Sequence, residues 1–286
     1  MARGSTQTQP RRKAADRKTA PTNTDDASSA AALRDVPPED ETLPEALDAE
    51  AAILDELPVG GGLPQAIAHA EGRTREILGR LACAMGKRDH AINEALAKDL
   101  LAREDAEATA ILVKHLDERE TAVSVDVAKV LEIIAAASPK LLGPGADGLA
   151  AAIRSTNART ATVASTLLAV AAPAVPARVA KHLDALLKVF PVGAPAVRDA
   201  LVRAFAGLCA ASVAYQRRLG PVLEEALATC SERDLPRWAE VILPSLKGEP
   251  HARARAIVER RMPELPRPGV LRVAKLLGVK PPRAKA

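Results

Sequence analysis

Three arginines, Arg159, Arg198 and Arg237, stand 39 residues apart in the chain, and their surroundings repeat with them. Each is followed two positions later by alanine (Ala161, Ala200, Ala239) and four positions later by valine (Val163, Val202, Val241). A fixed period of this length marks a chain built from copies of one supersecondary unit. A single copy cannot bury its apolar face alone, so the copies must stack and hold one another through nearest-neighbour contacts. That constrains the fold far more than the length of 286 residues, which permits one or two domains.

The apolar material fits helices. Hydrophobic residues make up 48% of the chain but aromatics only 1%, namely Phe190, Phe205, Tyr215 and Trp238. The expected core is therefore Ala, Leu, Val and Ile, each buried Leu or Val contributing roughly 1.5–3 kcal/mol. Alanine favours the helix intrinsically and lets helices approach closely. Few β-branched runs alternate with period two, so no sheet is expected.

Charge is segregated along the chain. Residues 1–19 carry a net +5, residues 20–58 a net −10, residues 59–250 a net +1 and residues 251–286 a net +8. Residues 1–62 read as a disordered charged arm ending in the hinge Gly60-Gly61-Gly62, because so polar a stretch buries too little to offset chain entropy. Within the arm, Leu43, Leu47, Leu54 and Leu57 have the spacing of a brief helix. Residues 281–286 read as a basic C-terminal tail. The opposite charges motivate a hypothesis in which the acidic arm folds over the basic end. Cys83, Cys209 and Cys230 are odd in number and irregularly spaced, which fits structural thiols rather than a disulfide framework. Without an apolar leader or an 18-residue apolar run, a cytoplasmic protein with no membrane partner is expected.

From Leu63 the apolar period becomes helical. Pro64 suits a first helical position, and helices are expected over about 88–100, 103–117 and 120–137, the last ended by Pro139. Gly143-Pro144-Gly145 reads as a turn, Asn157 as a cap, and Pro176, Pro195 and Pro236 as helix openers. Leu219-Gly220-Pro221 reads as a break between helices. About twelve short amphipathic helices fit antiparallel pairs stacked side by side better than a four-helix bundle. The expectation is an all-α fold, an α-solenoid of about five to six pairs over residues 63–280.

Residues 196–205, Ala-Val-Arg-Asp-Ala-Leu-Val-Arg-Ala-Phe, resemble the second-helix signature of HEAT repeats. Asn157-Ala158-Arg159 and Pro236-Arg237, with their following Ala and Val, are weaker copies. The resemblance spans roughly residues 64–280 and does not separate HEAT from armadillo-like relatives. That family commonly has an aspartate in the turn before the arginine; here the neighbourhood holds Thr156-Asn157, Pro195-Ala196 and Asp234-Leu235. An inter-repeat Asp–Arg ladder is accordingly expected only near Asp234. The resemblance implies a non-enzymatic scaffold or adaptor with a protein partner on the concave face, no cofactor and no metal.

Sequence signals for catalysis are weak. Gly143-Pro144-Gly145-Ala146-Asp147-Gly148 matches a dinucleotide-binding fingerprint, but no strand precedes it and Pro144 removes a donor. His69, His90, His115, His182 and His251 lack zinc-ligand spacing. His115 and His182 each follow a lysine in what reads as the C-terminal half of a helix. The functional lead is basic: Arg253, Arg255, Arg260, Arg261, Arg267, Arg272 and Lys275 are candidate contacts for an anionic partner. The same residues support an alternative, a nucleic-acid-associated module, although scarce aromatics argue against single strands. A HEAT-like enzyme of the DNA glycosylase or phycobilin lyase kind is a lesser alternative.

Overall fold

A computed structural model describes residues 63–281, all within one compact unit. The expected arm, its Leu43–Leu57 helix, the glycine hinge and the tail beyond Pro281 lie outside the described residues. Among the described residues the fold is all-α, with no strand.

Fourteen α-helices follow in order. They are α1 (Gln65–Ala68), α2 (Gly72–Leu78), α3 (His90–Ala102), α4 (Ala106–Lys114), α5 (Thr121–Ala137), α6 (Ala146–Ala152) and α7 (Ala158–Ala174). The second half holds α8 (Pro176–Ala180), α9 (Leu183–Val189), α10 (Pro195–Ala211), α11 (Val213–Thr229), α12 (Asp234–Ser245), α13 (Gly248–Arg261) and α14 (Arg267–Leu277). Short 3-10 helices occupy Cys83–Met85, Pro139–Gly145 and Met262–Glu264.

Local chemistry explains many boundaries. The Asp89, Asp105, Asn157 and Ser212 side chains accept backbone N–H groups at the starts of α3, α4, α7 and α11. Glu120 reaches 55 residues back to accept the Gln65 and Ala66 amides, at 2.8 and 3.0 Å, and so caps α1. Pro64 is the residue before α1, one position earlier than expected. Gly278, at φ 68°, ends α14 in the left-handed conformation that glycine adopts without strain.

Three local expectations need correction. Leu219-Gly220-Pro221 does not break the chain, because α11 runs through it. Its stripe Leu219, Leu223, Ala226, Leu227 keeps helical spacing across the proline and is buried, so tertiary packing outweighs the lost backbone bond. Gly143-Pro144-Gly145 is 3-10 helix leading into α6 rather than an open turn. A Cβ at Gly145 would stand 2.7 Å from Val113 Cγ2, and one at Gly148 would stand 2.8 Å from Val113 Cγ1. Those glycines serve close approach of α4, which is a packing role. The stretch opened by Pro176 is divided into α8 and α9, with His182 capping α9 at its N-terminal side rather than lying in a C-terminal half.

The long helices contact one another in order: α5 packs on α7, α7 on α10, α10 on α12 and α12 on α14. A second series joins α2 to α4, α4 to α6, α6 to α8, and α11 to α13. Sequence neighbours connect the two series, as α4 with α5, α6 with α7, α10 with α11 and α12 with α13. One apolar cluster runs from Ile67 to Leu277. Small residues allow the tightest approach: a Cβ on Gly207 of α10 would fall 2.9 Å from Pro173 Cδ of α7.

Candidate interaction surface

The repeated arginine positions lead to the most elaborate side-chain arrangement in the chain. Proline opens α10, and Arg198 and Asp199 follow as its fourth and fifth residues. Asp199 Oδ1 accepts the indole N–H of Trp238 at 2.9 Å, 39 residues on, and lies 3.1 Å from Arg237 Nε. Arg237 also binds Asp234 at 2.8 Å within α12. The Arg198 guanidinium sits 5.9 Å from the Phe190 ring centre and 5.6 Å from that of Trp238. Phe190 meets Phe205 edge-on at 5.6 Å. Two aromatics, Phe190 and Trp238, thus face Arg198 through cation–π attraction, and Phe205 backs Phe190.

An acid–arginine link between α10 and α12 therefore exists at Asp199, immediately after the recurring arginine position rather than in the turn before it. Similar cross-links recur elsewhere. Asp147 Oδ1 lies 2.7 Å from His182 Nε2, 35 residues away. Asp184 pairs with Arg218, 34 residues on. Glu224 holds Arg253 at 3.0 Å across 29 residues, and Glu240 grips Arg272 with two bonds of 2.6 and 2.7 Å across 32 residues. Hydrogen bonds without a cation have similar spacing: Ser155 donates to Asp117 across 38 residues, and Gln216 donates to the Lys247 carbonyl across 31.

The candidate anion-binding residues divide accordingly. Arg253 pairs with Glu224 and Glu249. Arg255 pairs with Glu259 at 2.8 Å and donates to the Leu277 carbonyl at 2.9 Å. Arg261, nearly buried, donates to the Leu227 carbonyl at 2.8 Å and contacts Cys230 Sγ at 3.4 Å and Glu264 at 3.1 Å. Arg272 is held by Glu240. Four of the seven candidates thus act as internal struts, while Arg260, Arg267 and Lys275 lie on the exposed surface. Two of the acceptors, Glu224 and Glu240, stand 29 and 32 residues upstream, beyond a local reading of the sequence.

One shallow groove of about 390 Å³ lies between α11 and α13, lined by Gln216, Arg217, Pro221, Lys247, Pro250 and Arg253 among others. Among the described residues no three His, Cys, Asp or Glu side chains converge as a metal site. His115 is occupied by Glu118 at 2.8 Å. Burial pushes the Cys209 thiol up to about 12 and raises that of Cys230, with Arg261 pulling the latter partly back. Burial, followed by the neighbouring Asp126 charge, also raises Cys83. A protonated thiol is a poor nucleophile. Asn93 and Asp126 form a buried link at 2.7 Å that also receives the Cys83 amide at 2.7 Å, which pins the 3-10 helix of Cys83–Met85 to α5.

No family model matches the chain, and no curated protein matches it. Among solved structures, it is similar to a crystal structure of an engineered protein, at 16% sequence identity and a TM-score of 0.49. That match covers 73% of this chain and 97% of the other. No helix among the described residues is long and apolar enough to cross a membrane.

Proposed function

We propose that the protein is a non-enzymatic interaction scaffold of HEAT-repeat type, its helices forming an α-solenoid of five or six antiparallel pairs. The observation that carries this reading is the set of side-chain cross-links 29–39 residues apart, such as Asp199 with Trp238 and Glu224 with Arg253. Such links join each unit to its neighbour, as expected where stability comes from intrinsic repeat terms plus interfaces. They also occupy Arg253, Arg255, Arg261 and Arg272, which weighs against a phosphate-binding surface.

The docking face in this reading is the outward strip of the long helices, on the concave side. It comprises Thr162, Thr166 and Val170 of α7, Arg203 and Ala210 of α10, and Pro244 of α12, all at least partly exposed. Small side chains there leave room for a partner's own to reach the helix surface. The test is quantitative affinity purification with the wild type and a Thr166→Glu/Ala210→Glu variant, whose helical content and melting temperature are checked first. Partners retained by the wild type and lost by the folded variant support the reading. Substrate turnover abolished by a point substitution in the stack would overturn it.

A further inference from the structure

The cross-links have a direction. In four of them the carboxylate lies on the earlier element and the cation on the later one: Asp184 with Arg218, Asp199 with Arg237, Glu224 with Arg253, and Glu240 with Arg272. Near the start the order is reversed, in Arg73 with Asp105 and Glu107 and in Arg80 with Asp99. Through the second half of the molecule, each unit thus offers acid forward and receives it from behind.

The series stops at α14, which carries Arg267, Arg272 and Lys275 and no carboxylate. Arg272 is turned back to Glu240. The nearest acid, Glu264, is engaged by Arg261. No described helix follows α14, and its exposed side presents Leu271, 47% exposed, one turn before the exposed Lys275. An exposed apolar residue beside a cation, at the end of an acid-to-cation series, is complementary in charge to a surface that reverses the series by supplying the acid itself.

We infer that the outward side of α14 docks an acidic, leucine-bearing helix of a partner protein, with Leu271 as the apolar anchor and Lys275 as the flanking cation. The partner's leucines cover Leu271, and its carboxylates meet Lys275. This rests on the scaffold reading and names the chemistry of one partner, on a surface separate from the Thr166 and Ala210 strip. Helix-on-groove recognition of this kind takes its affinity from the apolar anchors and its orientation from the charges. A polyanion without apolar groups satisfies only half of the arrangement.

The test uses the full chain and a fluorescent synthetic helical peptide with leucine on one face, glutamate on the others and no basic residue. Binding is read by anisotropy at low and moderate salt. Leu271→Glu/Lys275→Glu, and separately Leu271→Ala/Lys275→Ala, are expected to weaken binding by about tenfold or more, as for loss of a central anchor. Lys140→Glu, which removes the same number of exposed cations elsewhere, is expected to leave affinity within about twofold. The inference is overturned by equal weakening in the two charge-reversed variants, or by no binding of the peptide. It is also overturned if a double-stranded oligonucleotide of matched charge binds more tightly through Leu271 and Lys275. None of these results touches the Thr166→Glu/Ala210→Glu experiment, so the two readings fail separately.

Discussion

Trp238 donates its indole N–H to Asp199 at 2.9 Å, and the two residues stand 39 positions apart, one full period of the repeat. The bond is shielded by the Trp238 ring, only 3% exposed, whereas the companion ion pair from Arg237 is half open to water. Trp238→Phe keeps most of the ring and strands one acceptor of Asp199. It is expected to cost about 1–3 kcal/mol. Arg237→Gln, which removes only the exposed ion pair, is expected to cost less than about 1 kcal/mol. Urea midpoints of the two variants, compared at constant slope, check the order.

Pro221 lies inside α11 on its exposed side and cannot donate to the carbonyl four residues back. Pro221→Ala is expected to stabilise the protein by about 1–3 kcal/mol, since proline in a helix interior costs about 3 kcal/mol relative to alanine. A higher melting temperature is the expected result. A lower one would mean that the helix needs its proline for packing.

Gly145→Ala is expected to destabilise by about 1–3 kcal/mol, because the new methyl would press on Val113 from 2.7 Å. Val113→Ala alone should also destabilise, by cavity formation. The double variant should lose less than the sum of the two. A double-mutant cycle measures that coupling, and additivity would refute the contact.

Hydrogen bonding from Arg80 holds the Asp99 carboxyl below its ordinary 3.8, and hydrogen bonding from His182 does the same for Asp147. A depressed carboxyl contributes stability that is complete above its unfolded value and is lost as pH falls through the folded one. The melting temperature should therefore be insensitive to these groups above pH ~5 and fall below pH ~4. The fall should be shallower in Asp99→Asn/Asp147→Asn. Thermal melts between pH 2 and 6 test this.

Cys209 and Cys230 are buried and their thiols are raised by that burial, so neither should alkylate in the native protein at pH 8 within minutes. All three cysteines should react after unfolding. Intact-mass measurement under both conditions gives the count.

The helices most legible in the sequence are those whose boundaries are set by local chemistry. Thr121–Ala137 matches the stripe expected over 120–137, Asn157 caps α7 with its own side chain, and Pro195 opens α10. The readings that failed concern places where distant packing decides. Pro221 is a breaker only if nothing buries Leu219 and Leu223 on either side of it, and both are fully buried. The glycines at 145 and 148 suit a turn until Val113 is seen to occupy the space of their missing side chains. The basic C-terminal stretch was legible as charge but not as function, because several of its partners, Glu224, Leu227 and Glu240, lie 29–34 residues upstream, beyond any local window. The 39-residue period does not reveal them either, since Glu224 and Glu240 stand only 29 and 32 residues before Arg253 and Arg272.

The longest side-chain cross-link described, from Glu120 to the Gln65 amide, closes only 55 residues. Contacts this local mean that ordering any one segment asks little of the rest, so assembly has many equivalent starting points and small entropic barriers. The same locality governs mechanical failure. Under tension applied at its ends, such a chain should yield in a sequence of small steps, each releasing one helical pair, instead of rupturing in a single event.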